Sequence, residues 1–280
     1  MRPAVCWPAP TPAPPPPQHS RPPLSRPAAD TWPEGVARHV LDRVDSTNAE
    51  AHRLAPSLSG PAWIMARHQT AGRGRRGRGW SGGEGNFAAT LVLRPQGGAA
   101  QAARLSFVAA LALDQALTAV AGPYARIAIK WPNDVLLNGG KVAGILLESL
   151  GSGGGVDVLA IGMGVNLAVA PDPASLEPDA MAPVSLLAET GHVVTQDEFL
   201  DLLAPAFAEW QARLRDYGFD PIRTAWLARA ARLGETITAR TGSDSLTGRF
   251  DGIDETGALI LQTAEGRKVI PAADVYFQEG

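Results

Sequence analysis

The sequence predicts an α+β fold, in which helices pack on a mixed β-sheet and a small antiparallel β-domain follows. Short apolar runs alternate with segments of helical periodicity from about residue 36 onward. After Leu233 the pattern changes to short strands separated by glycine-containing turns, which is typical of a small barrel. We therefore expect a tail, a main domain and a C-terminal domain, with the ranges 1–33, 34–232 and 233–280.

The predicted strands of the main domain are short apolar runs bounded by turn residues. They cover 36–44, 63–67, 87–93, 127–130, 135–137, 142–150 and 156–165. Asn138-Gly139-Gly140 lies between two of these runs and is a strong signal for a tight hairpin. The strands expected in the C-terminal domain are 236–239, 246–253, 258–263 and 268–270.

Helices are predicted where apolar residues recur at helical spacing, which is the case at 47–54, 101–121, 184–190, 196–216 and 220–232. The first begins at Thr47, whose spacing to Glu50 matches a capping box, in which each side chain bonds the other residue's backbone N–H. Pro56 stops this helix. The second is rich in alanine and leucine, which indicates a long core helix.

The composition excludes several classes of protein. The 280 residues carry a net charge of −3, whereas general nucleic-acid binders usually have a basic excess. No run approaches the ~18 to 20 apolar residues that a membrane-spanning helix needs. The single cysteine, Cys6, excludes an internal disulfide framework, and the five histidines lack the spacing of a zinc site. We therefore expect no bound metal, no membrane and no nucleic-acid partner.

The first 33 residues hold 12 of the 24 prolines, and no acidic residue precedes Asp30. Such a segment cannot form a helix interior or a central strand and has little apolar surface to bury. We interpret it as a disordered tail, or as the product of a start codon assigned too far upstream. It lacks the continuous apolar core of a secretory signal, so a cytoplasmic location is expected.

An arginine/glycine-rich stretch lies between two predicted strands. From Gly72 to Gly85 it contains seven glycines and four arginines. Glycine lets a backbone approach a ligand closely, and arginine donates charge-assisted hydrogen bonds to carboxylate or phosphate. This combination predicts a loop that closes over a small anion. The alternatives are a solvated basic loop or an RGG-like nucleic-acid segment, but such segments are usually repetitive and lie in tails.

Lysine is scarce, since only Lys130, Lys141 and Lys268 occur among the 25 basic residues. Lys141 opens the second strand of the predicted hairpin, where an ammonium group can neutralise charge on a reacting carboxylate or phosphate. A surface lysine at a hairpin edge is the alternative interpretation. Gly162 and Gly164 lie near the end of a predicted strand and indicate close approach of another group to the backbone, although a packing constraint is as good an explanation.

Together these motifs resemble those of biotin protein ligases, and the resemblance extends from about residue 36 to the end of the chain. The matching stretches are Asp45-Ser46-Thr47-Asn48, Gln69 with Gly72-Arg73-Gly74-Arg75-Arg76-Gly77-Arg78 and Trp80, Lys130-Trp131-Pro132-Asn133-Asp134, Lys141 with Gly144-Ile145-Leu146 and Glu148, Gly162 with Gly164 and Asn166, and Gly248-Arg249-Phe250. The resemblance implies a class II aminoacyl-tRNA-synthetase-like catalytic domain and an SH3-like C-terminal barrel.

The resemblance also implies a two-step reaction. Biotin and Mg·ATP form biotinyl-5′-AMP and pyrophosphate, and a specific lysine of a biotin carboxyl carrier protein then displaces AMP. ATP with Mg²⁺ and biotin are thus substrates, and no tightly bound prosthetic group is expected. The carrier of acetyl-CoA carboxylase is the default partner, and a homodimer through a sheet edge is plausible by the same resemblance.

Roles for individual residues follow from the resemblance alone. The catalytic residues are expected to be Lys141, Arg73 and Arg75. Binding of biotin and the adenylate is expected from Ser46, Thr47, Asn48, Gln69, Gly72, Arg73, Gly74, Arg75, Lys141, Gly144, Gly162 and Gly164. Nucleotide contacts are expected from Arg76, Arg78, Trp80, Trp131, Asn133 and Asn166. No metal-ligating residue is assigned.

Some members of this family carry an N-terminal winged helix-turn-helix that represses transcription. The first 35 residues here are rich in proline and too short for one, so an enzyme without repressor function is expected. Two other functions stay open. One is a lipoate or octanoate ligase or transferase, which shares the catalytic fold, and the other is an RNA-binding module that uses the arginines of 73–78.

Overall fold

The computed structural model describes residues 32–80, 82–150, 156–175, 181–241 and 244–277. The expectations of a disordered tail and of an absent DNA-binding domain concern a segment that lies almost entirely outside the described residues. The described residues form two β-sheets and a set of helices, and buried side chains from both sheets join one hydrophobic core.

Seven strands form the main sheet, and the prediction of a mixed sheet is confirmed. They are β1 (Ala37–Val44), β2 (Ala62–Gln69), β3 (Phe87–Leu93), β4 (Ile127–Lys130), β5 (Asp134–Leu137), β6 (Gly140–Leu150) and β7 (Val158–Val165). Their order in the sheet is β1-β2-β3-β7-β6-β5-β4. β1 pairs with β2 in parallel, and the other neighbouring pairs are antiparallel.

The predicted hairpin joins β5 to β6. Asn138 and Gly139 have φ angles of 51° and 94°, and a two-residue hairpin turn of type I′ requires positive φ at both central residues. The Asn138 side chain also accepts the backbone N–H of Arg126 at 3.0 Å. Lys141 therefore lies on the second strand of a rigid hairpin, as the sequence indicated.

The helices are α1 (Thr47–Leu54), α2 (Ala99–Ala121), α3 (Leu186–Thr190), α4 (Gln196–Tyr217) and α5 (Phe219–Leu227). α2 packs between the main sheet and the pair α4 and α5, and most of it is buried. Contrary to the expectation from the sequence, α2 is long and apolar enough to cross a membrane by length and composition. Its position in the core explains this composition, because a helix that contacts protein on most sides is apolar on most sides.

The capping box predicted at Thr47 is wrong. Ser46 is the N-cap of α1 and makes no side-chain cap bond, while Glu50 pairs with Arg53 at 2.6 Å. The Thr47 hydroxyl instead donates to Gln69 Oε1 at 3.1 Å. The end of β2 offers an acceptor that lies 22 positions away in the sequence, and a local pattern cannot reveal it.

Two other helix ends differ from the predictions. A complete capping box forms between Thr195 and Glu198 at the start of α4, where none was predicted. α5 ends at Leu227, earlier than expected, because the chain after it pairs with β4. The backbone N–H of Ile129 donates to the carbonyl of Arg229 at 2.8 Å. Tertiary pairing therefore overrides the helical pattern here.

Five antiparallel strands form the C-terminal sheet. They are β8 (Thr236–Thr241), β9 (Asp244–Ile253), β10 (Leu259–Thr263), β11 (Gly266–Ile270) and β12 (Asp274–Phe277), in the order β11-β10-β9-β8-β12. β12 was not predicted, because a strand of four residues carries too little periodicity to identify. It pairs with β8 at the edge of this sheet.

The C-terminal sheet contacts the main domain closely at Gly257. Trp131 donates from its indole Nε1 to the Gly257 carbonyl at 3.0 Å. A Cβ atom on Gly257 would lie 2.6 Å from the ring of Phe107, which belongs to α2. The two domains therefore share a packed boundary rather than a loose one.

Alanine substitution of two glycines tests this boundary. Gly257 and Gly266 have φ angles of 90° and 107°, but a Cβ on Gly266 would meet no atom within 4 Å. Both variants should lose roughly 1–2 kcal/mol of unfolding free energy through backbone strain. Gly257→Ala should lose ~1–3 kcal/mol more, because Phe107 must move. Urea unfolding measures the difference, and equal losses would contradict the close contact.

Candidate active site

A cavity of about 1030 Å³ lies against the main sheet. Its walls come from distant parts of the chain: the start of α1, the arginine/glycine loop (residues 72–80), strands β6 and β7, and β12 of the C-terminal sheet. Ligand sites of small molecules usually occupy ~300–1,000 Å³. The cavity is therefore large enough for an extended ligand of at least two parts.

The middle of the cavity floor lacks side chains. Gly144 of β6 lies directly opposite Gly164 of β7 in the strand register. A Cβ on Gly164 would lie 2.4 Å from the indole of Trp80, and a Cβ on Gly162 would lie 2.2 Å from Oδ1 of Asn48. Rings and amides thus approach the backbone directly, as the two glycines of the sequence motif indicated.

One end of the cavity is polar and is built from hydroxyl and amide groups. Gln69 Oε1 accepts the backbone N–H of Thr47 at 2.8 Å, and the Thr90 hydroxyl donates to Asn48 Oδ1 at 2.6 Å. Ser46, Thr47, Asn48 and Thr90 are all buried. Buried hydrogen bonds hold such groups in fixed directions. This end of the cavity suits a neutral polar group with its own donors and acceptors.

The opposite end places two lysines on one buried carboxylate. Asp134 lies 2.7 Å from Lys141 Nζ and 3.7 Å from Lys130 Nζ. Burial acts to raise the pKa of Asp134, but the charges of Lys141 and Lys130 outweigh it and hold that pKa below its usual value. Burial lowers the pKa of Lys130. One carboxylate for two ammonium groups leaves an excess of positive charge, which suits an anionic part of a ligand.

Three arginines of the arginine/glycine loop converge on Asp274 of β12. Arg76 and Arg78 donate to Asp274 Oδ2 at 2.7 Å and 2.5 Å, and Arg75 lies 3.6 Å from Asp274 Oδ1. The Asp274 side chain is only 14% exposed. The C-terminal sheet therefore holds the loop over the charged end of the cavity.

Two further contacts of the loop reach the main domain. Arg73 pairs with Glu148 of β6 at 2.9 Å, and Arg75 donates to Asn133 Oδ1 at 3.3 Å. Burial lowers the pKa of Arg75, but a guanidinium group keeps its charge at any physiological pH. The loop is thus attached at several points along its length. Within the described ranges, no three His, Cys, Asp or Glu side chains cluster to hold a metal ion.

Known proteins share both sequence and fold with this chain. The biotin/lipoate A/B protein ligase family matches residues 40–166, and the biotin protein ligase C terminal domain matches residues 233–278. A biotin--[acetyl-CoA-carboxylase] ligase of Paracoccus denitrificans is 69% identical over 238 residues, which is 85% of this chain and 99% of that protein. The chain belongs to the biotin protein ligase family.

Other relatives agree with this assignment. The bifunctional ligase/repressor BirA of Bacillus subtilis is 35% identical over 86% of this chain and 75% of that protein. The structure of a biotin protein ligase from Aquifex aeolicus in complex with biotin and ATP matches with a TM-score of 0.73 and 27% identity, over 87% of this chain and 99% of that one. The chain is therefore a ligase with the fold of this family, and the predicted fold class is confirmed.

Most of the residues that the resemblance assigned to the ligase site line the cavity. They are Ser46, Thr47, Asn48, Gln69, Gly72, Arg73, Gly74, Arg75, Arg78, Trp80, Asn133, Lys141, Gly144, Gly162, Gly164 and Asn166. Arg76 does not line it, although its guanidinium group pairs with the cavity residue Asp274. Trp131 does not line the cavity either, and its nucleotide contact stays a prediction. Its ring is buried in the core.

Several charged and aromatic residues of the cavity were not assigned from the sequence. Lys130 and Asp134 are the first and last residues of the stretch 130–134 that carried the resemblance. The scarcity of lysine was a signal that Lys130, like Lys141, belongs to the site. Asp274 and Phe277 carried no such signal, because they lie on the short strand β12 that the pattern did not reveal. Lys130 Nζ lies 5.5 Å from the centre of the Phe277 ring, a cation–π contact between the two domains.

Asn166 offers an unused acceptor to the cavity. Its Nδ2 donates to the Val184 carbonyl at 3.1 Å, while its buried Oδ1 has no hydrogen-bond partner in the described part of the chain. A buried unpaired acceptor costs ~1–3 kcal/mol. Such a group in a cavity wall fits a contact with a donor on a ligand.

Comparison with a fully bonded asparagine tests the unused acceptor. Asn166→Ala removes one hydrogen bond but also removes the unpaired oxygen, so the unfolding free energy should change by less than about 1 kcal/mol. Asn86→Ala removes an amide whose Nδ2 and Oδ1 both bond the backbone near Val169, and should cost ~2 kcal/mol or more. Thermal unfolding of both variants checks this, and a similar large loss for Asn166→Ala would show that its oxygen has a partner.

Proposed function

We propose that this chain joins biotin to a specific lysine of a biotin carboxyl carrier protein, that of acetyl-CoA carboxylase, and that it consumes Mg·ATP through a biotinyl-5′-AMP intermediate. The observation that carries the proposal is one cavity with three parts: a neutral polar end, a floor without side chains and a cationic end. The Paracoccus denitrificans relative is named for this reaction, and the Aquifex aeolicus ligase binds biotin and ATP.

The chemistry has two steps. First, a carboxylate oxygen of biotin attacks the α-phosphorus of ATP, and the bond to the departing pyrophosphate breaks. Second, the amine of the carrier lysine attacks the acyl carbon of the mixed anhydride. The acyl–oxygen bond then breaks, AMP leaves and the amine loses a proton. Each step moves negative charge onto a leaving group, so fixed positive groups near that charge accelerate it.

The main obstacle to the first step is repulsion between two anions. Two like charges 4 Å apart repel by about 4 kcal/mol at an effective dielectric constant of ~20. The cations Lys130, Lys141, Arg75 and Arg78 all line the cavity. In the proposed complex these groups contact the carboxylate and the phosphates, while the neutral end binds the uncharged ring head of biotin. Asn166 and Asn133 would contact the nucleotide.

The arginine/glycine loop would retain the adenylate. The loop already spans the cavity between Glu148 and Asp274. A mixed anhydride hydrolyses in water, so a loop that covers it preserves it until the carrier arrives. Arg73 and Arg75 would supply the direct contacts.

We further propose the division 34–232 for the catalytic domain and 233–280 for the C-terminal domain, which the change from the mixed sheet to the antiparallel sheet supports. The proposed partner is the carrier protein and not a nucleic acid, because Glu148 and Asp274 pair with the loop arginines. A homodimer would use β1, an edge of the main sheet. We place the reaction in the cytoplasm, where its proposed partner is expected.

Incubation with biotin, Mg·ATP and an apo carrier domain tests the function. Biotin should appear on the carrier only when ATP is present and when the acceptor lysine is intact. Lipoate or octanoate in place of biotin should give no product, since the relatives favour biotin. RNA binding without ATP–pyrophosphate exchange would contradict the proposal and favour an RNA-binding role.

Replacement of Lys141 tests the charged end. Lys141→Ala should slow adenylate formation by ~10²–10³-fold, the loss typical of one charge-stabilising donor. Lys141→Arg should also impair it, because a guanidinium group is not a compact point charge. Lys268→Ala, an exposed lysine that pairs with Glu265, is the matched control. ATP–pyrophosphate exchange gives the rate, and a normal rate for Lys141→Ala would return Lys141 to a surface role.

Replacement of Arg75 tests retention of the adenylate. Arg75→Gly should loosen the loop, release biotinyl-5′-AMP and label lysines of bystander proteins, because the guanidinium contact to the ligand is lost. Arg249→Gly, at an exposed pair with Asp251 in the C-terminal sheet, is the control. Biotinylation of added albumin measures the leak. Retention of the adenylate as tight as in the parent would show that Arg75 is not part of the contact.

A further inference from the structure

Glu148 lies at the rim of the polar end, on the same face of β6 as the cavity floor. Side chains alternate between the two faces of a strand, so Glu148 follows Gly144 and Leu146 on one face. Its partner across the sheet is Ala160 of β7, whose small side chain leaves room above it. Glu148 is not among the residues that line the cavity, and its side chain is 29% exposed.

A single oxygen of Glu148 joins two residues of the site. Oε2 accepts from Asn48 Nδ2 at 2.7 Å and from the Arg73 guanidinium at 2.9 Å. Asn48 belongs to α1 and Arg73 to the arginine/glycine loop. Glu148 therefore connects three separate elements of the chain at one point: α1, the loop and β6.

The Glu148 carboxylate and the Leu146 carbonyl, which accepts from Asn48 Nδ2 at 3.3 Å, together determine which way the Asn48 amide points. An ionised carboxylate only accepts hydrogen bonds, so the amide nitrogen must face Glu148 and the amide oxygen must face Thr90. Since Asn48 Oδ1 cannot donate, the Thr90 hydroxyl must donate to it, at 2.6 Å. The Thr90 hydroxyl also lies 2.8 Å from the Thr47 hydroxyl. Its single proton is already used in the bond to Asn48, so Thr90 cannot donate to Thr47. Glu148 thus contributes to the direction of the hydrogen bond between Thr90 and Asn48.

Glu148 also separates the loop arginines into two groups. Arg73 pairs with Glu148 beside the polar end, whereas Arg75 and Arg78 lie at the charged end beside Asp274. Pairing compensates the charge of Arg73, so the polar end stays close to neutral. A neutral end accepts an uncharged ring head, and the free positive charge is concentrated where phosphate and carboxylate react.

We propose that Glu148 is a positioning residue for the neutral head of the substrate, and that it acts through Asn48 and Arg73 without touching the ligand. The proposal rests on the proposed function, in which that head is the ring system of biotin. Glu148→Gln keeps the shape and an acceptor but removes the charge and adds a donor. Only the 3.3 Å bond to the Leu146 carbonyl then holds the Asn48 amide in its direction, and Arg73 loses its ion pair.

Steady-state kinetics of Glu148→Gln test the proposal. KM for biotin should rise roughly tenfold, the scale of one lost charge-assisted contact. KM for ATP should change less than about twofold, because Lys141 and Arg75 at the other end are not touched, and any loss of kcat through Arg73 should be smaller than the rise in KM for biotin. Glu209→Gln is the matched control, since Glu209 forms an ion pair with Arg213 on the surface of α4, far from the cavity, and its constants should equal those of the parent.

A double-mutant cycle with Arg73→Gln separates positioning from a general loss of structure. If Glu148 acts through Arg73, the double variant should raise KM for biotin hardly more than either single variant. Fully multiplied effects, an unchanged KM for biotin in Glu148→Gln, or a loss of kcat with KM unchanged would overturn the proposal. Thermal unfolding identifies any variant that fails to fold, and Glu148→Asp then replaces it, with partial recovery of KM expected. If the parent chain labels no carrier, the proposed function fails instead.

Discussion

The cavity depends on the register between β6 and β7. That register sets Gly144 directly opposite Gly164, and it places Gly162 between Thr90 on one neighbour and Leu146 on the other. Any Cβ on Gly162 or Gly164 would collide with groups that now lie on the backbone. Side chains at these positions would form a wall between the polar end and the charged end. The ligase could then hold either half of an extended substrate, but not both at once.

The same strands complete the core through their other face. Ile145, Ile161, Met163 and Val165 alternate with the glycines and are buried beneath α2. One face of this sheet carries buried apolar side chains, and the other has glycine at the cavity floor. Burial of the apolar face stabilises the sheet, so the glycine face can leave space for a ligand without loss of rigidity. This arrangement also accounts for the apolar composition of α2, which has to cover that face. Rigidity under the floor keeps the two ends of the cavity at a constant separation, which catalysis by positioning requires.

Charge balance is the second constraint on the site. Four arginines and two lysines around one cavity would repel each other, and three carboxylates compensate them: Glu148, Asp134 and Asp274. Each carboxylate lies at a different place and pairs with different cations, so each group of cations has a negative charge beside it. Asp274 comes from the last strand of the C-terminal sheet. The smaller domain thus contributes to the ligase site directly, and its contact at Gly257 holds it against the main domain.

Much of this ligase could be predicted from local sequence. Periodicity located most of the strands and helices within a few residues, Asn138 and Gly139 indicated the hairpin, and Gly162 and Gly164 indicated close approach of another group to the backbone. These features can be predicted from the sequence because turn geometry and the alternation of side chains along a strand depend on neighbouring residues. The capping box predicted at Thr47 was wrong for the opposite reason, since the Thr47 hydroxyl has a partner on β2, far away in the sequence.

Tertiary structure alone decided which groups meet. No local pattern relates Arg78 to Asp274, 196 positions away, or Asn48 to Glu148, 100 positions away. Trp131 shows the same limit, because its motif predicted a site residue and no local pattern showed that its ring is buried in the core. The sequence by itself determined the elements, the bare floor and the presence of a cationic loop. Which carboxylate pairs with which cation depends on through-space contact between distant segments, and only the folded chain creates that contact.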